Sequence, residues 1–135
     1  MERRSLVPSV CPYCGVGCGL DLAVSDGIIT GLEYMKEHPT NEGALCPKGN
    51  ACLDIVYHRE RLLYPMKKVN GQFQRTSWGD ALALVVSKLG HIHSAYGANA
   101  LAFLASAKAT NEDNYVFQKL ARLLGTNNVD HCARL

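Results

Sequence analysis

Four cysteines carry most of the chemistry this sequence offers. Cys11, Cys14 and Cys18 follow a C-x2-C-x3-C spacing, and Cys46 follows after 27 intervening residues. The first three lie too close together to staple a small fold as disulfides, so tight clustering of this kind suits a metal or a cluster. Thiolates a few residues apart on a flexible loop converge on one centre, and a fourth from a distant loop closes it. Four thiolates around a cube of iron and sulfide is the usual [4Fe–4S] arrangement. Zinc is the main rival. Structural zinc commonly pairs two short knuckles, or a knuckle with two histidines, whereas here three consecutive donors are joined by a single remote one. Four unligated core cysteines form a weaker alternative, because the proline and glycines between them make a poor core strand.

The other donors read more plainly. Cys52 falls on the apolar side of a short helix and reads as a small buried residue. Cys132 stands alone in His131-Cys132-Ala133-Arg134 and reads as structural. His38, His58, His91 and His93 read as surface or helix-face residues, and His131 as structural.

The elements that must position the cysteines follow from periodicity. Cys11-Pro12-Tyr13-Cys14-Gly15-Val16-Gly17-Cys18-Gly19 is a loop whose glycines relax the backbone. Leu20, Leu22 and Val24 alternate as a strand, Ser25-Asp26-Gly27 turns it, and Ile28 to Glu33 returns. Residues 38–43 are polar and deliver the chain to Cys46. A short helix is expected over residues 49–57, with Cys52, Ile55 and Val56 on one side. A connector over 59–64 ends at Pro65, and 67–75 forms a hairpin about Asn70-Gly71. At Ser77 the character changes. Ser77 caps a helix bearing Ala81, Leu82, Val85, Val86 and Leu89. Residues 100–105 form a buried strand. Thr110 to Asp113 caps a second helix bearing Val116, Phe117, Leu120, Leu123 and Leu124, and Gly125 ends it. Asn128-Val129-Asp130 opens another strand. The expected fold is mixed, α+β giving way to α/β. A cysteine-rich module with short antiparallel strands occupies residues 1–60, and the start of an incomplete Rossmann-like α/β domain occupies 61–135.

Composition excludes several classes. With 135 residues and a net charge of +2, the chain has no basic stretch interleaved with aromatics, so nucleic acid is not an expected partner. No segment holds the ~20 apolar residues of a membrane span. Arg3-Arg4 reads as a solvated basic start rather than an export signal, since Cys11 arrives before any apolar stretch, and the expected location is cytoplasmic. Charged residues make up only 19%, which hints that part of the surface is covered in the working protein.

Cys11 to Gly19 and Leu45-Cys46-Pro47-Lys48-Gly49 together resemble the molybdopterin oxidoreductase family. The resemblance extends through Ser77-Trp78-Gly79-Asp80-Ala81-Leu82 to the stretch from Gly125 to Leu135, which narrows it to formate dehydrogenase catalytic subunits. It implies that Cys11, Cys14, Cys18 and Cys46 hold a [4Fe–4S] cluster. It also implies that Lys48 lies between this cluster and one of two molybdopterin guanine dinucleotides bearing molybdenum or tungsten, and relays electrons. The full enzyme would oxidise formate to CO2, or run the reverse reaction, and pass electrons singly to iron–sulfur partner subunits.

The metal's protein ligand is implied directly after Ala133-Arg134-Leu135, as a cysteine or selenocysteine followed by a histidine. The expectation is that a selenocysteine codon follows. The segment alone is then expected to be inactive, since its partner is the remainder of the catalytic subunit. Other members of the family, of nitrate reductase or formylmethanofuran dehydrogenase type, are alternatives. So is a cluster-only electron carrier like the related subunit of respiratory complex I.

Overall fold

The computed structural model describes residues 4–134. Arg3 and Leu135, two positions used in the sequence reading, lie outside the described residues.

Three antiparallel strands open the chain: β1 (Arg4–Val10), β2 (Gly19–Ser25) and β3 (Ile28–Tyr34), in the order β1-β2-β3. The turn between β2 and β3 is the expected one. Asp26 and Gly27 take φ of 49° and 79°, the left-handed pair whose twist matches the flanking strands. Of the residues expected to alternate inward along β2, Leu20 is buried to 1% exposure while Leu22 and Val24 are half-buried; Ala23 is buried to 1% as well, and a bulge at Ala23/Val24 shifts the register against β3.

Strand β1 was not expected from the sequence. It pairs along its whole length with β2, Val10 opposite Gly19 and Arg4 opposite Ser25. Pro8 weakens a strand reading but is tolerated at an edge, where its missing N–H faces solvent. Arg4 is exposed, as expected of a solvated basic start, and forms an exposed ion pair with Glu33.

The expected helix over 49–57 is two pieces, α1 (Pro47–Asn50) and α2 (Cys52–Tyr57), broken at Ala51 with φ −94° and ψ 13°. The cause is local. Asn50 turns its side-chain amide back onto the carbonyls of Leu45 and Cys46, at 3.0 and 3.2 Å, and competes with helix continuation. Of the apolar side expected for this helix only Cys52 is buried; Ile55 and Val56 are exposed. Cys52 joins Cys11 and Leu20 in a small core.

A second hairpin follows, β4 (Met66–Val69) and β5 (Gln72–Arg75), turning at Asn70 and Gly71 with φ of 49° and 82°. Helix α3 (Trp78–Tyr96) starts at Ser77, whose hydroxyl accepts from the Asp80 N–H at 3.0 Å. Strand β6 (Phe103–Ala105) is shorter than expected, because residues 98–100 form a 3-10 turn. Helix α4 (Asn111–Leu123) carries a capping box in which the Thr110 hydroxyl and the Asp113 carboxylate each accept the other residue's backbone N–H. Strand β7 (Val129–His131) then lies parallel to β6, Phe103 opposite Val129. A right-handed crossover is the rule for two parallel strands joined through a helix.

This α/β unit has its own core. Leu101, Phe103 and Ala121 are buried, with Leu89, Ile92, Phe117, Leu124 and Val129 packed on them. Phe103 and Phe117 meet edge to face at 5.3 Å. Ala121 and Thr126 are completely buried, and Thr126 satisfies its hydroxyl on the Leu101 carbonyl at 3.2 Å. Much of the expected apolar striping faces outward instead: Leu82, Val85 and Val86 on α3, and Val116 and Leu123 on α4, are all exposed.

Candidate functional site

The loop between β1 and β2 carries three of the four cysteines. The sheet closes it, since Cys11 N–H donates to the Cys18 carbonyl at 2.9 Å and Val10 pairs with Gly19. The loop therefore begins and ends at adjacent strand positions, which turns the sulfur atoms of Cys11, Cys14 and Cys18 to one side. Gly17 sits at φ 69°, inside the loop, where a side chain would be strained.

Cys46 arrives from a different segment, and two asparagines hold it there. The Asn41 side chain accepts from the Gly19 N–H at 2.8 Å and donates to the Gly19 carbonyl at 3.1 Å, in place of a neighbouring strand. It also donates to the Ala44 carbonyl at 3.0 Å. Asn50 grips the carbonyls of Leu45 and Cys46 from the other side, while accepting from the Tyr34 hydroxyl at 2.7 Å. The His38 ring occupies the space over Gly19, where an added Cβ would meet it at 2.2 Å. His38 is thus half-buried packing rather than a surface group.

All four cysteines line one cavity of about 90 Å³, with Lys48 and Lys108 on its wall. Their exposure is graded: Cys11 is buried, Cys14 and Cys18 are half-buried, and Cys46 is exposed. Among the described residues no three His, Cys, Asp or Glu side chains gather tightly enough for one metal ion. The thiols stand around a space rather than converging on a point.

Electrostatics agree with this arrangement. Burial pushes the Cys18 thiol up, and the neighbouring Cys11, Cys14 and Cys46 add to the effect by repelling a further negative charge. Cys46 is held below the ordinary thiol value by the N–H groups of Gly49 and Lys48, with the Lys48 charge helping. A cationic centre in the cavity would reverse the mutual repulsion, since a coordinating thiol is deprotonated outright. The donor set therefore fits an iron–sulfur cluster. Burial likewise raises Cys52, which touches the core and not the cavity.

The second concave feature lies at the carboxyl ends of β6 and β7, where open α/β sheets bind their ligands. It has a volume of about 270 Å³, and Ser106, Asn114, Gln118, Asp130 and His131 supply its polar lining. His131 is exposed there, its Nδ1 accepting from the Ala133 N–H at 3.2 Å. Cys132 lies beside it, with Sγ 3.8 Å from the Ser106 hydroxyl. Asn41, Asn50, Lys108 and Asn111 were missed by the sequence reading. Asparagines in polar, turn-rich stretches look like ordinary turn residues, and Lys108 is 60 positions from Lys48.

Residues 5–58 match the Molybdopterin oxidoreductase Fe4S4 domain, and residues 61–135 match the Molybdopterin oxidoreductase family. The F420-dependent formate dehydrogenase 1 subunit alpha of Methanococcus maripaludis is 48% identical over 130 residues, covering 96% of this chain and 19% of that protein. The F420-dependent formate dehydrogenase subunit alpha of Methanocaldococcus jannaschii is 47% identical over 131 residues, with 96% and 19% covered. Among solved structures, acetylene hydratase from Pelobacter acetylenicus superposes with a TM-score of 0.70 at 25% identity, covering 92% of this chain and 18% of that one. The chain spans about a fifth of the length of the curated relatives it matches. With four thiols around one cavity, a parallel α/β unit beside it and a family model matched over more than half its length, the chain belongs to the molybdopterin oxidoreductase family.

Proposed function

We propose that this chain is the cluster-bearing N-terminal part of a formate dehydrogenase catalytic subunit, with Cys11, Cys14, Cys18 and Cys46 as the ligands of a [4Fe–4S] cluster. The supporting observation is the shared cavity, whose four thiols come from two segments locked together through Asn41. A cluster there supplies one-electron transfer, and the metal–pterin cofactor supplies the two-electron chemistry of formate and CO2.

The chain's own residues do the rest. The Gly49 and Lys48 N–H groups stabilise negative charge on Cys46, the ligand nearest solvent. Leu20 and Cys52 keep water from the Cys11 side. Lys48, on the cavity wall, is the electron-relay position beside the cofactor. The crevice at the ends of β6 and β7 is this chain's share of the cofactor site, completed by the remainder of the subunit. Residues 1–60 form the cluster module and 61–135 the beginning of the cofactor domain. Electrons leave to iron–sulfur partner subunits, and the protein works in the cytoplasm; no helix among the described residues is long and apolar enough to cross a membrane.

Formate is preferred to other substrates because the relatives at 48% and 47% identity are named formate dehydrogenases, whereas acetylene hydratase stands at 25%. Iron and sulfide analysis, with paramagnetic resonance of the reduced protein, tests the cluster. About four irons per chain are expected, lost in Cys46→Ser and kept in Cys52→Ser. Stoichiometric zinc without iron would overturn the assignment. Formate-dependent dye reduction by the full-length protein tests the substrate, and no turnover with formate or CO2 would exclude it.

A further inference from the structure

The loop joining β6 to α4 forms a wall common to both concave sites. Ser106 lines the crevice at the strand ends, and Lys108, two residues on, lines the cysteine cavity. Two contacts fix this loop. The Ser106 hydroxyl accepts from the Lys108 N–H at 3.0 Å. Asn111, the first residue of α4, donates its side-chain amide to the Gly15 carbonyl at 2.9 Å, inside the cysteine loop and 96 positions away in the chain. The fit is close, since a Cβ on Gly15 would meet the Asn111 Oδ1 at 2.3 Å. Lys108 is therefore carried to the cavity by a docked element.

We propose that Lys108 is a second cation of the cluster site, working with Lys48 from the opposite module to favour the reduced cluster and so raise its potential. The inference rests on the cluster reading given above. A cluster held by four thiolates is anionic, and one added electron makes it more so with no bond formed or broken. A fixed positive charge on the cavity wall stabilises the reduced state more than the oxidised one. Lys48 lies two residues after Cys46 in the chain, so the cysteine motif brings its cation automatically. Lys108 reaches the same cavity only after the α/β unit docks, which ties the cluster's potential to correct assembly of the cofactor side. Because Lys108 is itself exposed, solvent screening limits its effect to a modest size.

The test is a dithionite redox titration of the full-length protein followed by paramagnetic resonance, comparing wild type with Lys108→Gln and Lys108→Arg. At the wild-type midpoint, the ratio of reduced to oxidised cluster in Lys108→Gln should fall roughly three- to tenfold, tenfold being 59 mV for a one-electron couple. Lys108→Arg should restore it. An unchanged midpoint in Lys108→Gln overturns the inference and leaves the cluster reading standing. So does an equal shift in Lys108→Arg, which would mean geometry rather than charge, or a Lys108→Gln protein that binds no iron, which would make Lys108 a holder rather than a tuner. A wild-type protein with no cluster signal overturns both.

Discussion

At the residue scale, the thiols divide by what surrounds the sulfur. Cys46 and Cys132 are both exposed and both held below the ordinary thiol value, yet for separate reasons. For Cys46 the N–H groups of α1 dominate. For Cys132 the Ala107 N–H leads, followed by the Ser106 hydroxyl and then the Lys108 charge. A lowered value means that more thiolate is present at neutral pH. The rate of Cys132 alkylation by iodoacetamide should therefore level off at a lower pH than for an ordinary cysteine. Ser106→Ala should move that inflection upward. Mass spectrometry of the modified peptide across pH 6 to 10 measures it, and an inflection at or above the usual thiol range of about 8.5 would contradict the account.

At the element scale, the loops are set by short-range polar contacts more than by apolar burial. The 11–18 loop is closed by the β1–β2 ladder, and the 38–46 loop by Asn41 and Asn50. Helix α4 owes its start to the Thr110–Asp113 capping box, which also presents Asn111 to Gly15. Thr110→Ala should cost about 1 kcal/mol. This would appear as a lower urea midpoint with an unchanged slope, since no buried surface is lost. A change of slope, or no change in midpoint, would show that the cap does not govern the helix end. These contacts explain what was hard to read. The sequence shows a capping pattern at 110–113, because the residue types and the spacing are both local. It does not show that Asn41 partners Gly19, because that bond spans 22 positions.

At the scale of the whole molecule, two small cores are joined through few described contacts, and much apolar surface lies outside both. On α3, Leu82 is 58% exposed and Val86 is 70% exposed. An apolar face of this extent on a family member spanning a fifth of its relatives' length fits burial against further protein. Paired changes Leu82→Lys and Val86→Glu should reduce self-association of the isolated segment in sedimentation without loss of helix by circular dichroism. In the full-length protein the same pair should destabilise by roughly 2–4 kcal/mol, through buried charge and lost packing. Equal stability of variant and wild type there would mean that the face stays open to solvent.

The sequence by itself singled out the four cysteines that line one cavity, and determined the two left-handed hairpin turns, the helix starts at Ser77 and Thr110, and the change from an antiparallel module to an α/β unit. Each of these depends on residue types at short spacing, which the chain carries wherever it folds. Only the tertiary structure decided that β1 completes the sheet, that His38 packs over Gly19, and that Lys108 reaches the cysteine cavity. Those outcomes depend on groups far apart in the chain meeting across a fold. No local pattern encodes such a meeting, because its free energy is gained only after the intervening segments have found their places.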